Sequence, residues 1–174
     1  MRAKLSITAL GLLTGAAHAQ TMDVGIEVPR MSVAEYHRPY IAVWISHPDQ
    51  KVAANLSVWY QLEAGPEGEG ETWLKDMRQW WRRTGRTLDM PVDGVSTATR
   101  APGQYTLTFT SDDPGLKGLK PGEYILHVEA SREVGGRELI SIPFEWSEDV
   151  STEISETGET ELGEIRLSLS PNPN

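Results

Sequence analysis

The 174-residue chain contains no cysteine, which removes thiol catalysis, disulfides, cysteine zinc sites, iron–sulfur clusters and attached c-type haem from consideration. Positive charge is scarce, with 16 Lys and Arg against 25 Asp and Glu, a formal net charge of −9. Nucleic acid and anionic membrane surfaces are therefore not expected partners. Long apolar runs are scarcer still. The one extended stretch, Leu5 to Ala16, falls well short of the ~18 residues a membrane span needs, and nothing downstream approaches it. Direct membrane insertion is not expected.

Arg2 and Lys4 precede that stretch, and it ends in Ala17-His18-Ala19. A basic start, a short apolar centre and an A-x-A end make a secretory signal peptide, cleaved after Ala19. The mature chain then has 155 residues and 14 basic against 25 acidic side chains, a formal charge of −11. It should be an exported, periplasmic protein. A chain of this size can bury enough surface for one core, so a single domain is expected over residues 20–170, with a tail at 171–174.

Strand-like segments dominate: Thr21 to Val28, Tyr40 to Ile45, Leu56 to Leu62, Tyr105 to Thr110, Tyr124 to Ala130, Leu139 to Trp146 and Ile165 to Leu169. Most alternate apolar and polar residues, the period of a strand with one face on a core. Gly135-Gly136 lies between two of them and predicts a two-residue primed turn. Ala101-Pro102-Gly103 and Lys120-Pro121-Gly122 each precede a strand led by tyrosine. The expectation is an all-β fold, an Ig-like antiparallel β-sandwich of about seven strands.

One segment has a different period. Trp73, Met77, Trp80 and Trp81 recur at spacings of three to four, which predicts an inserted Trp- and Arg-rich helix over about 72–84, with Thr72 as N-cap and Gly85 as terminator. Residues 63–71 read as a flexible glutamate–glycine loop, and about 147–164 as an acidic linker. No internal repeat is present. His37, His47 and His127 lack ligand spacing and read as structural or surface residues. There is no Gly-x-Ser-x-Gly elbow, P-loop or paired carboxylate of glycosidase type, so an autonomous enzyme is not expected.

Two resemblances follow from these residues. Pro121 to Leu126, with Ala101 to Tyr105 and Ser111-Asp112-Asp113, resembles the Ig-like module of flagellar hook-capping proteins, which implies a sandwich and no particular function. His37 to Ile45, the Trp80-Trp81 segment and Asp93 to Pro102, taken in order, resemble the periplasmic domain-of-unknown-function family two-two-seven-one. That resemblance implies association with PepSY-type membrane proteins and flavin transferases.

Within it, Asp93-Gly94-Val95-Ser96-Thr97-Ala98-Thr99 resembles the acceptor motif of periplasmic flavin transferases, which has glycine where Thr97 stands. The resemblance implies covalent FMN on Thr99, with Asp93, Ser96 and Ala98 completing the recognised segment. An acceptor of this kind needs a free hydroxyl on an accessible turn with small neighbours. Lys75, Arg78, Arg82, Arg83 and Arg86, with Arg100 beside the motif, concentrate positive charge that could meet a phosphate or a carboxylate-rich partner. Trp80 or Trp81 could stack on the flavin ring, with Arg82 or Arg100 beside it, or the tryptophans could simply anchor the helix to the sandwich. The expected function is a periplasmic redox carrier or redox-partner module, working with a PepSY-type membrane protein and a separate flavin transferase. The alternative is a cofactor-free binding module, and a metal-handling protein is a third reading.

Overall fold

The computed structural model describes residues 20–64, 69–147 and 150–171. The leader and its cleavage point, part of the glutamate–glycine loop and the last three residues lie outside these. Nine strands form two sheets: β1 (Gln20–Val28), β2 (Tyr40–Ser46), β3 (Val52–Tyr60), β4 (Ser96–Ala98), β5 (Gly103–Thr110), β6 (Gly122–Ser131), β7 (Arg137–Trp146), β8 (Thr152–Thr157) and β9 (Glu164–Pro171). The first sheet has the order β5-β1-β9-β8 and the second β4-β3-β2-β6-β7. The fold is an all-β sandwich. All pairs are antiparallel except β3–β4.

The core lies between the sheets. β1 buries every second residue, Met22, Val24, Ile26 and Val28, because a strand presents alternate side chains to one face. These meet Ile165, Leu167 and Leu169 of β9 and, across the sandwich, Ile41, Val43, Ile45, Leu126, Val128 and Ile142. Each such side chain, fully buried, contributes roughly 1.5–3 kcal/mol. Both Pro-Gly-x-Tyr segments end in the same device: Tyr105 Oη donates to the Ala101 carbonyl at 2.7 Å and Tyr124 Oη to the Lys120 carbonyl at 2.9 Å. Each tyrosine pins the corner four residues before it, as tyrosine corners do in other sandwiches.

β2 is buried on both faces. Its outer side chains Ala42 and Trp44, with Val58 and Tyr60 of β3, form a second, smaller core under Leu74, Met77 and Trp80. Those three come from the tryptophan-rich segment, which differs from the expected helix. It is a 3₁₀ helix, Gly70–Asp76, a break at Met77, and one short α-helix α1 (Arg78–Arg83). Thr72 lies inside the first piece and caps nothing. The start of α1 is satisfied from another element: the buried Glu129 carboxylate of β6 accepts the backbone N–H groups of Gln79 at 3.1 Å and Trp80 at 2.8 Å. A carboxylate is favoured there because those amides have no partner within the helix. Gly85 leaves room for an indole instead of ending the helix, since a Cβ on it would lie 2.5 Å from the Trp80 ring.

Two further expectations are corrected. The acidic run read as a linker contains β8, paired along its length with β9, and Glu161 within it is buried. The Gly135-Gly136 pair sits in the β6–β7 connection, but the left-handed residue is Val134, at φ 51°. The glycines serve clearance. A Cβ on Gly135 would fall 2.5 Å from Arg132 Cζ, and one on Gly136 would fall 2.9 Å from Glu161 Oε1.

Candidate functional site

The segment read as a flavin acceptor forms a tight turn that leads into an edge strand. Ser96 N–H donates to the Val92 carbonyl at 2.9 Å, Ser96 Oγ accepts from Val92 N–H at 2.9 Å, and Gly94 at φ 70° completes the turn. Asp93 is exposed at its tip. Ser96, Thr97 and Ala98 then run parallel to β3, opposite Val58, Trp59 and Tyr60. A β-branched residue suits a strand, which accounts for threonine at 97. Thr97 Oγ1 is buried and has no hydrogen-bond partner among the described residues.

Thr99 emerges from β4, half-buried, onto the wall of a basin of about 730 Å³. The basin lies at one end of the second sheet, where β2 begins, β3 ends and the β6–β7 hairpin turns. Tyr36, Arg38 and Tyr40 line it from the approach to β2, Trp73 and Arg78 from the helical segment, and Arg132 and Arg137 from the hairpin. Its volume is that of sites for drug-sized ligands.

Four guanidinium groups reach the basin, and they differ in what holds them. Arg132 is buried and paired in fork geometry with buried Glu161: Nε donates to Oε2 at 2.8 Å and Nη2 to Oε1 at 3.1 Å. Gly136 N–H adds a third bond to the same carboxylate at 2.6 Å. Arg137 donates to Glu129 at 3.1 Å. No carboxylate among the described residues lies within ion-pair distance of Arg38 or Arg78. His37 stands between two acids, with Nε2 3.0 Å from Glu35 and Nδ1 3.3 Å from Glu133.

Two donors on the basin wall, Arg132 Nη1 and Tyr36 Oη, are buried without partners among the described residues. Leaving such a group unsatisfied costs about 1–3 kcal/mol, more when it is charged. Burial raises the Tyr36 hydroxyl pKa above its ordinary value, against the opposing pull of Arg132 and Arg38. Burial also raises that of Tyr40, where Glu133 and Asp76 act in the same direction and a backbone hydrogen bond at Gln61 opposes them. Both phenols are therefore protonated donors at neutral pH. The basin is thus aromatic-walled and lined by four arginines together with the acids Asp76 and Glu133, with two buried donors unpaired among the described residues.

Of the residues expected from the sequence to attach or contact the flavin, Thr99 alone lines this basin, although Trp73 and Arg78 of the Trp- and Arg-rich segment and His37 line it too. Ser96 holds the turn, and Ala98 is exposed beside Tyr60. Arg100 Cζ lies 4.2 Å from the Trp59 ring centroid and 5.0 Å from that of Tyr105. Trp80 is fully buried and donates Nε1–H to Asn55 at 2.9 Å, so it cannot stack on a ligand; the anchoring reading holds for it. Trp81 packs half-buried against the second core, and Arg82 donates to Gln79 at 2.7 Å over a different pocket. The ring that is available is Trp73, 42% exposed, with Lys75 Nζ 5.7 Å above it. Tyr36, Arg38, Arg132 and Arg137 went unremarked as site residues. The adjacent Tyr36-His37-Arg38 before Pro39 is the readable signal; Arg132 and Arg137 flank a Gly-Gly turn, where a sequence pattern marks the turn and not the side chains beside it.

Among the described residues no group of three or more His, Asp and Glu is placed to hold a metal. No described helix is long and apolar enough to cross a membrane. A family model described as "Predicted periplasmic protein (DUF2271)" matches residues 21–164. No curated protein and no solved structure matches the chain.

Proposed function

The chain belongs to the DUF2271 family of predicted periplasmic proteins, and from this we propose that it is a periplasmic redox-carrier module with FMN joined through its phosphate to Thr99. The observation that carries the proposal is the position of Thr99 on the wall of an aromatic basin of about 730 Å³ that four arginines also line. The residues present fit such a group. Arg38 and Arg78, without carboxylate partners among the described residues, suit the phosphate and the polar chain next to it. Trp73 and Tyr40 offer ring faces to an aromatic system. Arg132 Nη1 and Tyr36 Oη offer donors to an electron-rich edge. A flavin held there supplies a group that takes up and passes on electrons; the chain's own part is to attach it, shield it and set guanidinium groups beside it. Attachment requires a separate flavin transferase, and a PepSY-type membrane protein is the proposed electron partner.

The test is the intact mass of the mature protein after co-expression with a flavin transferase. Added FMN less water, lost in Thr99→Ala, is the expected result. An unmodified mass, with the transferase active on another acceptor, would reject it. A second reading is favoured by one observation: Thr97, where the acceptor motif has glycine, is fixed in β4 opposite Trp59. If that strand keeps a transferase out, the same basin serves as a cofactor-free binding site for an anionic aromatic ligand.

A further inference from the structure

On the outer face of the second sheet, three neighbouring strands bring Ser46 of β2, His127 of β6 and Ser141 of β7 into one hydrogen-bonded line. His127 and Ser141 are cross-strand partners. Ser46 Oγ lies 2.9 Å from His127 Nε2, and His127 Nδ1 lies 2.8 Å from Ser141 Oγ. The tautomer with the proton on Nε2 satisfies every group in this line. Ser46 Oγ–H donates to the His47 carbonyl at 3.0 Å, and a hydroxyl has only one proton to give. In that tautomer Ser46 accepts from His127 Nε2–H. That leaves Nδ1 bare, so the hydroxyl proton of Ser141 points at it.

The three residues differ in exposure in a way that suits chemistry at one end. Ser46 and His127 are buried, while Ser141 is exposed. The Trp44 ring stacks on His127 at 4.8 Å and holds its plane. The Ser141 end opens into a pocket of about 280 Å³, with Trp44, Ile125 and Leu139 as its apolar wall and Arg82 and Arg83 at its rim. A nucleophile, a base within hydrogen-bond reach and a third group that orients the base are the parts of an activated serine. The parts come from three strands and form no local motif, so no sequence pattern marks the site.

We propose that Ser141 is a nucleophile activated by His127, and that this pocket accepts the acyl group of small esters carrying a negative charge. Ser141 Oγ attacks the ester carbonyl carbon while its proton passes to His127 Nδ1. The bond to the leaving oxygen breaks, that oxygen takes the proton from Nδ1, and the acyl group stays on Ser141. Water then repeats the sequence and frees the acid. Arg82 and Arg83 favour an anionic acyl group and the developing oxyanion. Ser46 positions His127 and touches no substrate. The site is separate from the basin and independent of any group on Thr99.

The test uses the mature protein, a fluorophosphonate probe and two chromogenic esters. The expected result is one adduct on Ser141, absent in Ser141→Ala and formed about 100-fold more slowly in His127→Gln, with folding of both checked by thermal melting. 4-Nitrophenyl hemisuccinate should be cleaved faster than neutral 4-nitrophenyl butyrate, and Arg82→Gln/Arg83→Gln should abolish that preference. Burial, then the charge of Arg83, lowers the His127 pKa to about 4, and the charged side chains lining the pocket are Arg82 and Arg83. Labelling should therefore stay level from pH 8 to about 5 and fall below that. No adduct under conditions that label a control serine hydrolase, an unchanged rate in His127→Gln, or a rate that tracks hydroxide throughout would each overturn the proposal.

Discussion

Arg132 and Glu161 join the β6–β7 hairpin to the segment before β9, and both side chains are almost wholly buried. A buried ion pair offsets its desolvation only when both partners are present. Arg132→Met alone should therefore destabilise the protein by about 3–5 kcal/mol, because it strands the Glu161 carboxylate. Arg132→Met/Glu161→Leu should recover most of that loss. Urea unfolding of the single and double variants measures both; equal losses would mean that the pair acts only through packing. The same pair shows why the site was only partly readable. Thr99 stood in a recognisable motif, whereas Arg132 gains its place from Glu161, 29 positions away, a distance at which no local pattern operates. Trp80 misled for a local reason: helical spacing marks a face without saying whether that face meets a core or a ligand.

At the scale of elements, the Glu138 carboxylate of β7 gathers the tip of the β8–β9 hairpin. Glu159 N–H donates to Oε1 at 2.5 Å, and Thr160, Glu161 and Leu162 donate to Oε2 at 3.1, 2.8 and 2.8 Å. Burial alone would raise the pKa of this group, but the four backbone donors outweigh burial and hold it below the ordinary value. The stabilisation is thus present at neutral pH and is lost as pH falls through the lowered pKa. Glu138→Ala should cost about 2 kcal/mol and raise hydrogen exchange at residues 159–162 while leaving β2 protected. Uniform loss of protection would contradict a local anchor. The seven expected strands are all present because their alternation survives in the burial pattern, as in β1 and β7. β8 escaped notice because most of its residues are exposed and only Ile154 packs on the core. β4 is three residues long and parallel to its neighbour, too short for any period to register.

For the whole molecule, the linked quantity is stability against pH. His127 has a pKa of about 4 in the folded protein against an ordinary 6.5, because burial and then Arg83 disfavour its charged form. Between these values the unfolded chain binds more protons than the folded one, so stability is full above about pH 6.5 and declines toward pH 4. The loss is at most about 3 kcal/mol. Thermal melts from pH 7.5 to 4.5 should show this decline in the wild type and a flatter profile in His127→Gln; parallel profiles would assign it to other groups.

The order of the first sheet also has a consequence in time. β1 lies between β5 and β9, with partners 75–89 and 139–151 positions later in the chain. At roughly 5–20 residues per second of synthesis, a β1 segment waits on the order of ten seconds before both partners exist. Through that interval it is an apolar strand with two open edges, a template for mispairing with other chains. Asp23 and Glu27 stand on its other face, one accepting from Thr108 and the other from Glu164 N–H once the sheet is complete. Until then the same two charges act as gatekeepers, keeping the earliest-made strand from aggregating before the last-made one arrives.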